Sequence, residues 1–380
     1  MAVLAGVKQL TPRSGNECTL IGCVEAVLRY HGEAHDYVDL MGLSAAAFRI
    51  RVAYSAVESI AGGRVHPGIS VDAQVGPHVQ ALSGATGYTF ARDGHFINDE
   101  GERAVGSRIE AEIDAGRPVV AMNLCNDSCW GVVTGYDPEV PVGGPGDSDY
   151  RPGRLLCRTY QDAPGSGYER APHFPWDLYF VSKPVEPLPQ HEAVRASIRA
   201  AADLLTTPRA RVNIEGGWLY HWQPEYANGI AAYDAWIREI QDEHGIRRLP
   251  PDQYLMYWQA HAWMYDQLHD ARRAAAAYVS RAARLLGAQA VEPLEHASRA
   301  YDEMVRLLTE GWSCFPYWSE EYVEPGTGWR LRPNQEELLG RRVPARSSEW
   351  TSDMRREGIE LLGAVKEKER HALSLLSKVA

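Results

Sequence analysis

Gly15 to Gly32 reads GNECTLIGCVEAVLRYHG, and the fold turns on this stretch. Leu20, Ile21, Cys23, Val24, Val27 and Leu28 recur at the spacing of a helix buried over much of its surface, and Gly32 stops it. Asn16 is a good N-cap, and Ser14 with Glu17 has the form of a capping box, so the pattern predicts Cys18 in the first helical turn. Backbone N–H groups and the positive end of the helix dipole favour a thiolate there, and the same N–H groups serve an oxyanion. Cys18 is therefore the candidate nucleophile, with Asn16 a further oxyanion donor. The competing reading makes Cys18 one more small apolar side chain of a buried helix, as Cys23 is.

Outward from this helix, GRPVVAMNL (Gly116 to Leu124), WGVVTGYD (Trp130 to Asp137), RLLCRTY (Arg154 to Tyr160) and DLYFVSK (Asp177 to Lys183) are strand-like runs bounded by turn residues. They predict a small, mainly antiparallel sheet packed on the first helix, an α+β arrangement. Between the second and third runs lies PEVPVGGPGDSDYRPG, turn-forming throughout and expected at the surface. The proline-rich joint KPVEPLPQ, Lys183 to Gln190, marks a composition shift. It places one domain at 1–185 and an all-α, Trp/Tyr-rich domain at 186–380, with helices at 191–206, 226–244, 251–286, 290–311 and 352–378.

A chain of 380 residues suits two domains. Net charge −11 with no basic block argues against nucleic acid as a partner. No apolar run approaches the ~20 residues of a membrane span, and MAVLAGVKQL has too short an apolar core for a signal peptide. Six dispersed cysteines without a C-x-x-C pair do not form a secreted disulfide framework. The expectation is a cytoplasmic protein of reduced thiols with no cofactor, possible as a homo-oligomer. Tryptophan concentrates in WLYHW (Trp218, Trp222), in YLMYWQAHAWMY (Trp258, Trp263) and in WSCFPYW. These rings serve either as core or as walls of a pocket for a flat or long apolar ligand. Asp266-x-x-His269 has the form of half a carboxylate-bridged metal site, without the second half, so no metal is expected.

ECTLIGCVEAVLRYHG resembles the nucleophile helix of papain-like peptidases that remove double-glycine leaders, with Cys18 on the nucleophile and Cys23 on their second cysteine. GRPVVAMNL followed by CWGVVTGYD resembles the next two strands of that fold, and RLLCRTYQD the strand that carries the orienting acid. YVDLMGLSAAAFRI, Tyr37 to Ile50, together with a helical second half, is similar to the butirosin biosynthesis protein H group of papain-like acyltransferases. The resemblance covers about residues 9–183 and implies a papain-like domain with Cys18 as nucleophile and Asp162 as the acid. It also puts Cys129, rather than a histidine, opposite Cys18, where the pair could form a reversible disulfide or hold a soft metal. Gln9 is the one upstream glutamine for an oxyanion hole. His66, His78, His95 and His173 are further imidazoles in the first domain, and His31 closes the helix at the end opposite Cys18.

The function expected from residues and resemblance together is thiol-dependent acyl transfer or amide hydrolysis on a small-molecule or carrier-bound acyl substrate in specialised metabolism. Cys18, Asn16, Cys129 and Asp162 form the catalytic set, and Trp130, Tyr160, Trp218, Trp222, Trp258 and Trp263 line the substrate. The alternative is a non-catalytic papain-like protein that holds a ligand or partner in an aromatic cleft.

Overall fold

The computed structural model describes residues 1–10, 17–53, 78–93, 99–125, 129–141, 153–162, 165–175, 177–183, 186–211, 225–318, 322–323, 330–331 and 346–380. Asn16, His66, His95, Trp218, Trp222 and most of the 138–153 loop lie outside the described residues. In chain order the strands are β1 (Ala2–Val3), β2 (Arg51–Ala53), β3 (Thr89–Asp93), β4 (Val119–Met122), β5 (Trp130–Tyr136), β6 (Leu155–Arg158), β7 (Glu169–Arg170), β8 (Leu178–Ser182), β9 (Arg209–Arg211) and β10 (Glu225–Asn228). The α-helices are α1 (Thr19–Tyr30), α2 (Tyr37–Leu43), α3 (His78–Thr86), α4 (Asp99–Asp114), α5 (Gln190–Thr206), α6 (Ile230–Gln241), α7 (Glu243–Arg247), α8 (Pro251–Leu286), α9 (Ala288–Glu310) and α10 (Ser352–Leu376). No helix among the described residues is long and apolar enough to cross a membrane.

The first unit comprises Met1–Leu40, Val79–Leu188 and Ile214–Trp222. Its sheet is antiparallel in the order β3-β8-β4-β5-β6-β7. β1 joins the side of β5 that β4 has left: Val119 pairs with Val133, and the next ladder bond on that side runs from Leu4 N–H to the Thr134 carbonyl at 2.7 Å. Because successive side chains alternate across the pleat, Val119, Ala121 and Val133 face α4 and pack with its Val105, Ile109 and Ile113. Val120, Trp130 and Val132 face the other way, toward α1. Burial on both faces explains why these two strands read as continuous apolar runs rather than alternating ones.

The second unit comprises Met41–His78, Pro189–Asn213 and Gln223–Ala380. The expected all-α half is corrected here. β2, drawn from the N-terminal part of the chain, pairs antiparallel with β10, and β10 with β9. Two further pairs join Tyr317–Trp318 to Arg346–Ser347 and Tyr322–Val323 to Arg330–Leu331. A cut at residue 185 also misses that residues 41–53 pack with this unit. Strands of two to four residues are too short to show a period of two, and β2 lies far in sequence from its partner. The expected helix at 226–244 begins instead as β10 and is divided at Asp242 into α6 and α7, while the other helices follow the sequence pattern, with α8 unbroken over 36 residues through its alanine-rich run.

Residues 41–53 are tied to the bundle by a buried ion pair. Arg272 and Glu369, both fully buried, meet at 2.6 Å (Nε to Oε2). The Tyr233 and Tyr301 hydroxyls donate to the same carboxylate at 2.7 and 3.1 Å, and Arg272 donates onward to the Ala47 and Arg49 carbonyls at 2.8 and 3.3 Å. The carboxylate thus accepts three hydrogen bonds, and partnering of this kind is the condition under which a buried pair survives its desolvation cost. Glu369→Ala leaves a buried guanidinium unpaired and should cost about 3–5 kcal/mol in urea unfolding. The double variant Arg272→Met/Glu369→Leu should recover most of that loss, and a double variant as unstable as Glu369→Ala would contradict this account.

His261 is fully buried among aromatic rings, with Trp236 Nε1–H donating to its Nδ1 at 2.9 Å and the rings of Tyr257 and Trp350 centred 4.4 and 5.2 Å away. Burial, with a smaller push from the Arg355 charge, lowers its pKa to about 3. A base whose pKa is depressed by folding takes up its proton in the unfolded chain first, so stability falls as pH drops below the unfolded value near 6.5 and goes on falling toward 3. Between pH 6.5 and 5, above most carboxylate titration, this histidine should contribute a loss approaching ~1.4 kcal/mol per pH unit. His261→Asn keeps an acceptor for Trp236, and denaturant titrations across that window should show a flatter slope for the variant; an unchanged slope would place the acid sensitivity elsewhere.

Candidate active site

Cys18 is itself the N-cap of α1 (φ −78°, ψ 87°), its carbonyl accepting the Gly22 N–H at 3.0 Å. The expectation of Cys18 inside the first turn is thus corrected by one position. The cause is its backbone N–H, which points out of the helix to the Tyr37 hydroxyl at 3.0 Å. That N–H is therefore committed, and an oxyanion at this end must use the N–H groups of the first turn, which have no intrahelical acceptor. The residue is buried at 5 % exposure, and its side chain makes no cap hydrogen bond.

Tyr160 follows β6, and its hydroxyl occupies the space that a Gly22 Cβ would fill. Positions 18 and 22 lie one turn apart on the same helix face, so the phenol stands on the side of α1 that Cys18 begins. Burial pushes the phenol pKa well above its ordinary value, and Cys23, Cys18, Glu17 and Cys129 all act in the same direction. The site thus holds a neutral O–H donor within electrostatic reach of three thiols and a carboxylate. Sequence reasoning gave Tyr160 a substrate-lining role and missed Tyr37 and Glu17. One signal was present: a glycine inside an otherwise apolar helix costs about 1 kcal/mol against alanine and marks a close approach.

Cys129 immediately precedes β5, and its carbonyl extends the ladder by accepting the Asn123 N–H at 3.1 Å. The next N–H, that of Trp130, donates to Thr19 Oγ1 at 3.2 Å. Thr19 follows Cys18 and Trp130 follows Cys129, so one hydrogen bond brings the two backbones together across 111 residues. None of the six cysteines forms a disulfide. Asn123 takes a left-handed conformation (φ 69°) to leave β4. Among the described residues its buried Oδ1 and the buried Trp130 Nε1 meet no hydrogen-bond partner. The Trp130 indole packs against Tyr179, ring centroids 5.4 Å apart.

Asp162 does not reach toward an imidazole. Its Oδ1 accepts from the Thr159 N–H at 3.0 Å and the Thr159 hydroxyl at 2.9 Å, closing the turn after β6, with Arg158 3.5 Å from Oδ2. Burial raises its pKa, against these hydrogen bonds and the Arg158 charge. The Cys125 thiol joins the same turn through Thr159 Oγ1 at 3.5 Å. A hydrogen bond with Cys125 that favours the protonated form, followed by burial, holds the Cys157 thiol well above its ordinary pKa. Gln9 Oε1 is bonded to the Gly165 N–H at 3.1 Å. His31 caps the far end of α1 with its ring stacked on Tyr88, centroids 5.8 Å apart.

The aromatic residues expected to line substrate divide. Trp258 is core, its Nε1–H spent on the Pro316 carbonyl at 2.6 Å, and Trp263 is half-buried on α8. Asp266 accepts from the Tyr317 hydroxyl at 3.0 Å and His269 Nε2 bonds Thr309 Oγ1 at 2.9 Å, so that motif serves packing. Among the described residues no group of three or more His, Cys, Asp or Glu side chains could hold a metal ion. No protein-family model matches the chain, and no curated protein matches it.

Gly22→Ala forces the new methyl against the Tyr160 hydroxyl and should cost about 1–3 kcal/mol. Tyr160→Phe in the same chain removes the colliding oxygen and should restore much of the loss. Thermal unfolding of the four species in this cycle measures the coupling, and strictly additive effects would mean that the two groups do not touch.

Proposed function

We propose that the protein is a thiol-dependent acyltransferase whose Cys18 accepts an acyl group from a thioester, carried by a small thiol or a carrier protein. The observation that supports this most is the Trp130–Thr19 hydrogen bond, which brings the residues after Cys129 and Cys18 together at the end of α1 where the buried, neutral Tyr160 hydroxyl lies against Gly22. Amide cleavage needs a general acid for its amine leaving group, the role an imidazole takes in papain-like sites. On the papain-like reading Cys129 stands in that place, and a thiol serves it poorly. A thioester asks for less, because its thiolate leaves unprotonated and thiol–thioester exchange is close to balanced.

In the proposed reaction the Cys18 thiol loses its proton to solvent and the thiolate attacks the carbonyl carbon. First-turn N–H groups and the Tyr160 O–H stabilise the oxyanion. The donor C–S bond then breaks as the Cys18 S–C bond persists, and the departing thiolate takes a proton from solvent. An amine or hydroxyl acceptor next attacks the acyl-Cys18 carbon, and its proton ends on the Cys18 sulfur. The chain is restored. The locked Asp162 and the committed Cys18 N–H favour a second reading, a papain-like binding protein without turnover.

Incubation with a simple N-acetylcysteamine thioester followed by intact mass measurement decides between them. The acyltransferase reading expects one acyl adduct per chain, mapped to Cys18, removed by hydroxylamine and absent in Cys18→Ala. Tyr160→Phe should slow its formation about 10-fold or more, as loss of an oxyanion donor does. Equal labelling of wild type and Cys18→Ala, or none in either, leaves the binding-protein reading.

A further inference from the structure

Arg51 opens β2 in the second unit and is buried to 8 % exposure. Among the described residues its Nε meets no hydrogen-bond acceptor and no carboxylate forms an ion pair with it. Two other buried arginines of this unit are matched: Arg272 by Glu369 and Arg355 by Glu243 at 2.7 Å. A buried lysine or carboxyl relieves such a situation by becoming neutral, but a guanidinium keeps its charge at any working pH. An uncompensated buried charge costs several kcal/mol, so its retention asks for a counter-charge.

The register shows what surrounds it. Arg51 stands opposite Asn228 on β10, and Tyr226 is the diagonal neighbour on the same face of the sheet, within reach of a long side chain. Asn228 is engaged elsewhere, its Nδ2 donating to the Leu204 and Thr207 carbonyls at 2.7 and 2.8 Å at the end of α5. Those carbonyls are thereby occupied. Burial, opposed by the Arg51 charge, pushes the Tyr226 phenol up to about 12, so at neutral pH it is an O–H donor and not an anion. One face of β2 and β10 therefore offers a fixed cation and a neutral donor, with no anion among the described residues.

We infer that Arg51 and Tyr226 form an oxyanion-binding site, taking a carboxylate or phosphate group of a small molecule whose charge completes the buried guanidinium. Two or more oxygens on one centre match the forked N–H groups of arginine. This site lies in the second unit and does not rest on the chemistry assigned to Cys18.

The test is thermal unfolding of the full chain in an anion-poor, low-ionic-strength buffer, with inorganic phosphate, acetate or chloride added at matched ionic strength. Phosphate or acetate should raise the midpoint saturably by about 3 °C or more while chloride does not, and the two effective arms separate phosphate from carboxylate ligands. Arg51→Met, which keeps the length of the side chain and removes its charge, should lose that rise and be at least as stable as wild type in the anion-poor buffer. Tyr226→Phe should weaken the apparent affinity several-fold with the saturated midpoint shift retained at high anion. The inference fails if wild type responds to no anion, if Arg51→Met responds equally, or if Arg51→Met is the less stable chain without anion, which would place the counter-charge within the protein.

Discussion

The hydrogen bond from the Trp130 N–H to Thr19 Oγ1, 3.2 Å long, fixes where the first helix meets the sheet. It is made at the first residue of α1 and the first of β5, so the cysteines that precede them are brought together without a disulfide. Gly22 then lets the sheet approach one turn further along, since any side chain there would displace the Tyr160 hydroxyl. Together the two contacts define a depth and a rotation for α1. A helix anchored only by its apolar stripe could slide or turn by a residue at modest cost. With both contacts in place, the thiol of Cys18 is held at the edge of the packed interface and the phenol beside it is kept dry.

Much of this could be read from the residues alone, for reasons that also explain the rest. The helix at 18–30 and the four runs that became β4, β5, β6 and β8 announce themselves because each is buried over most of its surface and bounded by turn residues. The long bundle helices do so through length. Tyr37, by contrast, reaches the Cys18 N–H from α2, and nothing local marks a tyrosine as the acceptor of a helix N-cap amide. Asp162 carried the right charge at the right strand end, yet the short hydroxyl of Thr159 competes for it locally and wins. In the second unit the buried ion pair was not legible, for a different reason. Arg272 and Glu369 look in sequence like the solvated charges of an alanine-rich helix and an acidic-basic helix, because pairing across nearly a hundred residues leaves no local trace.

Three described residues illustrate how buried charge is handled. Arg272 is saturated by a carboxylate, two phenols' shared partner and two backbone carbonyls, and works as a structural tie for residues 41–53. Asp162 is held by its own turn, with the pKa rise from burial partly offset by Thr159 and Arg158. Arg51 has neither arrangement among the described residues. Since folding leaves domains only ~5–15 kcal/mol of net stability, an unmatched guanidinium is a large fraction of that margin. Among the described residues nothing matches it, and an apolar side chain of similar length would fill the same space without the cost.

The same kind of reasoning bears on Cys129. A histidine at the start of β5 would share the interface with Cys18 as an imidazolium, and burying a thiolate–imidazolium pair is tolerable only if each ion has further partners. Here the Asp162 carboxyl at the end of β6 is closed into the Thr159 turn, and the Cys18 N–H is taken by Tyr37. The surroundings of the site are thus consistent with a neutral group at position 129 and with a phenol, not an ion pair, as the nearby proton donor. Reaction classes that pass through a neutral thiol and a thiolate leaving group suit these surroundings. Those that require a buried imidazolium to protonate an amine would demand that Asp162, Tyr37 and Cys129 all change together.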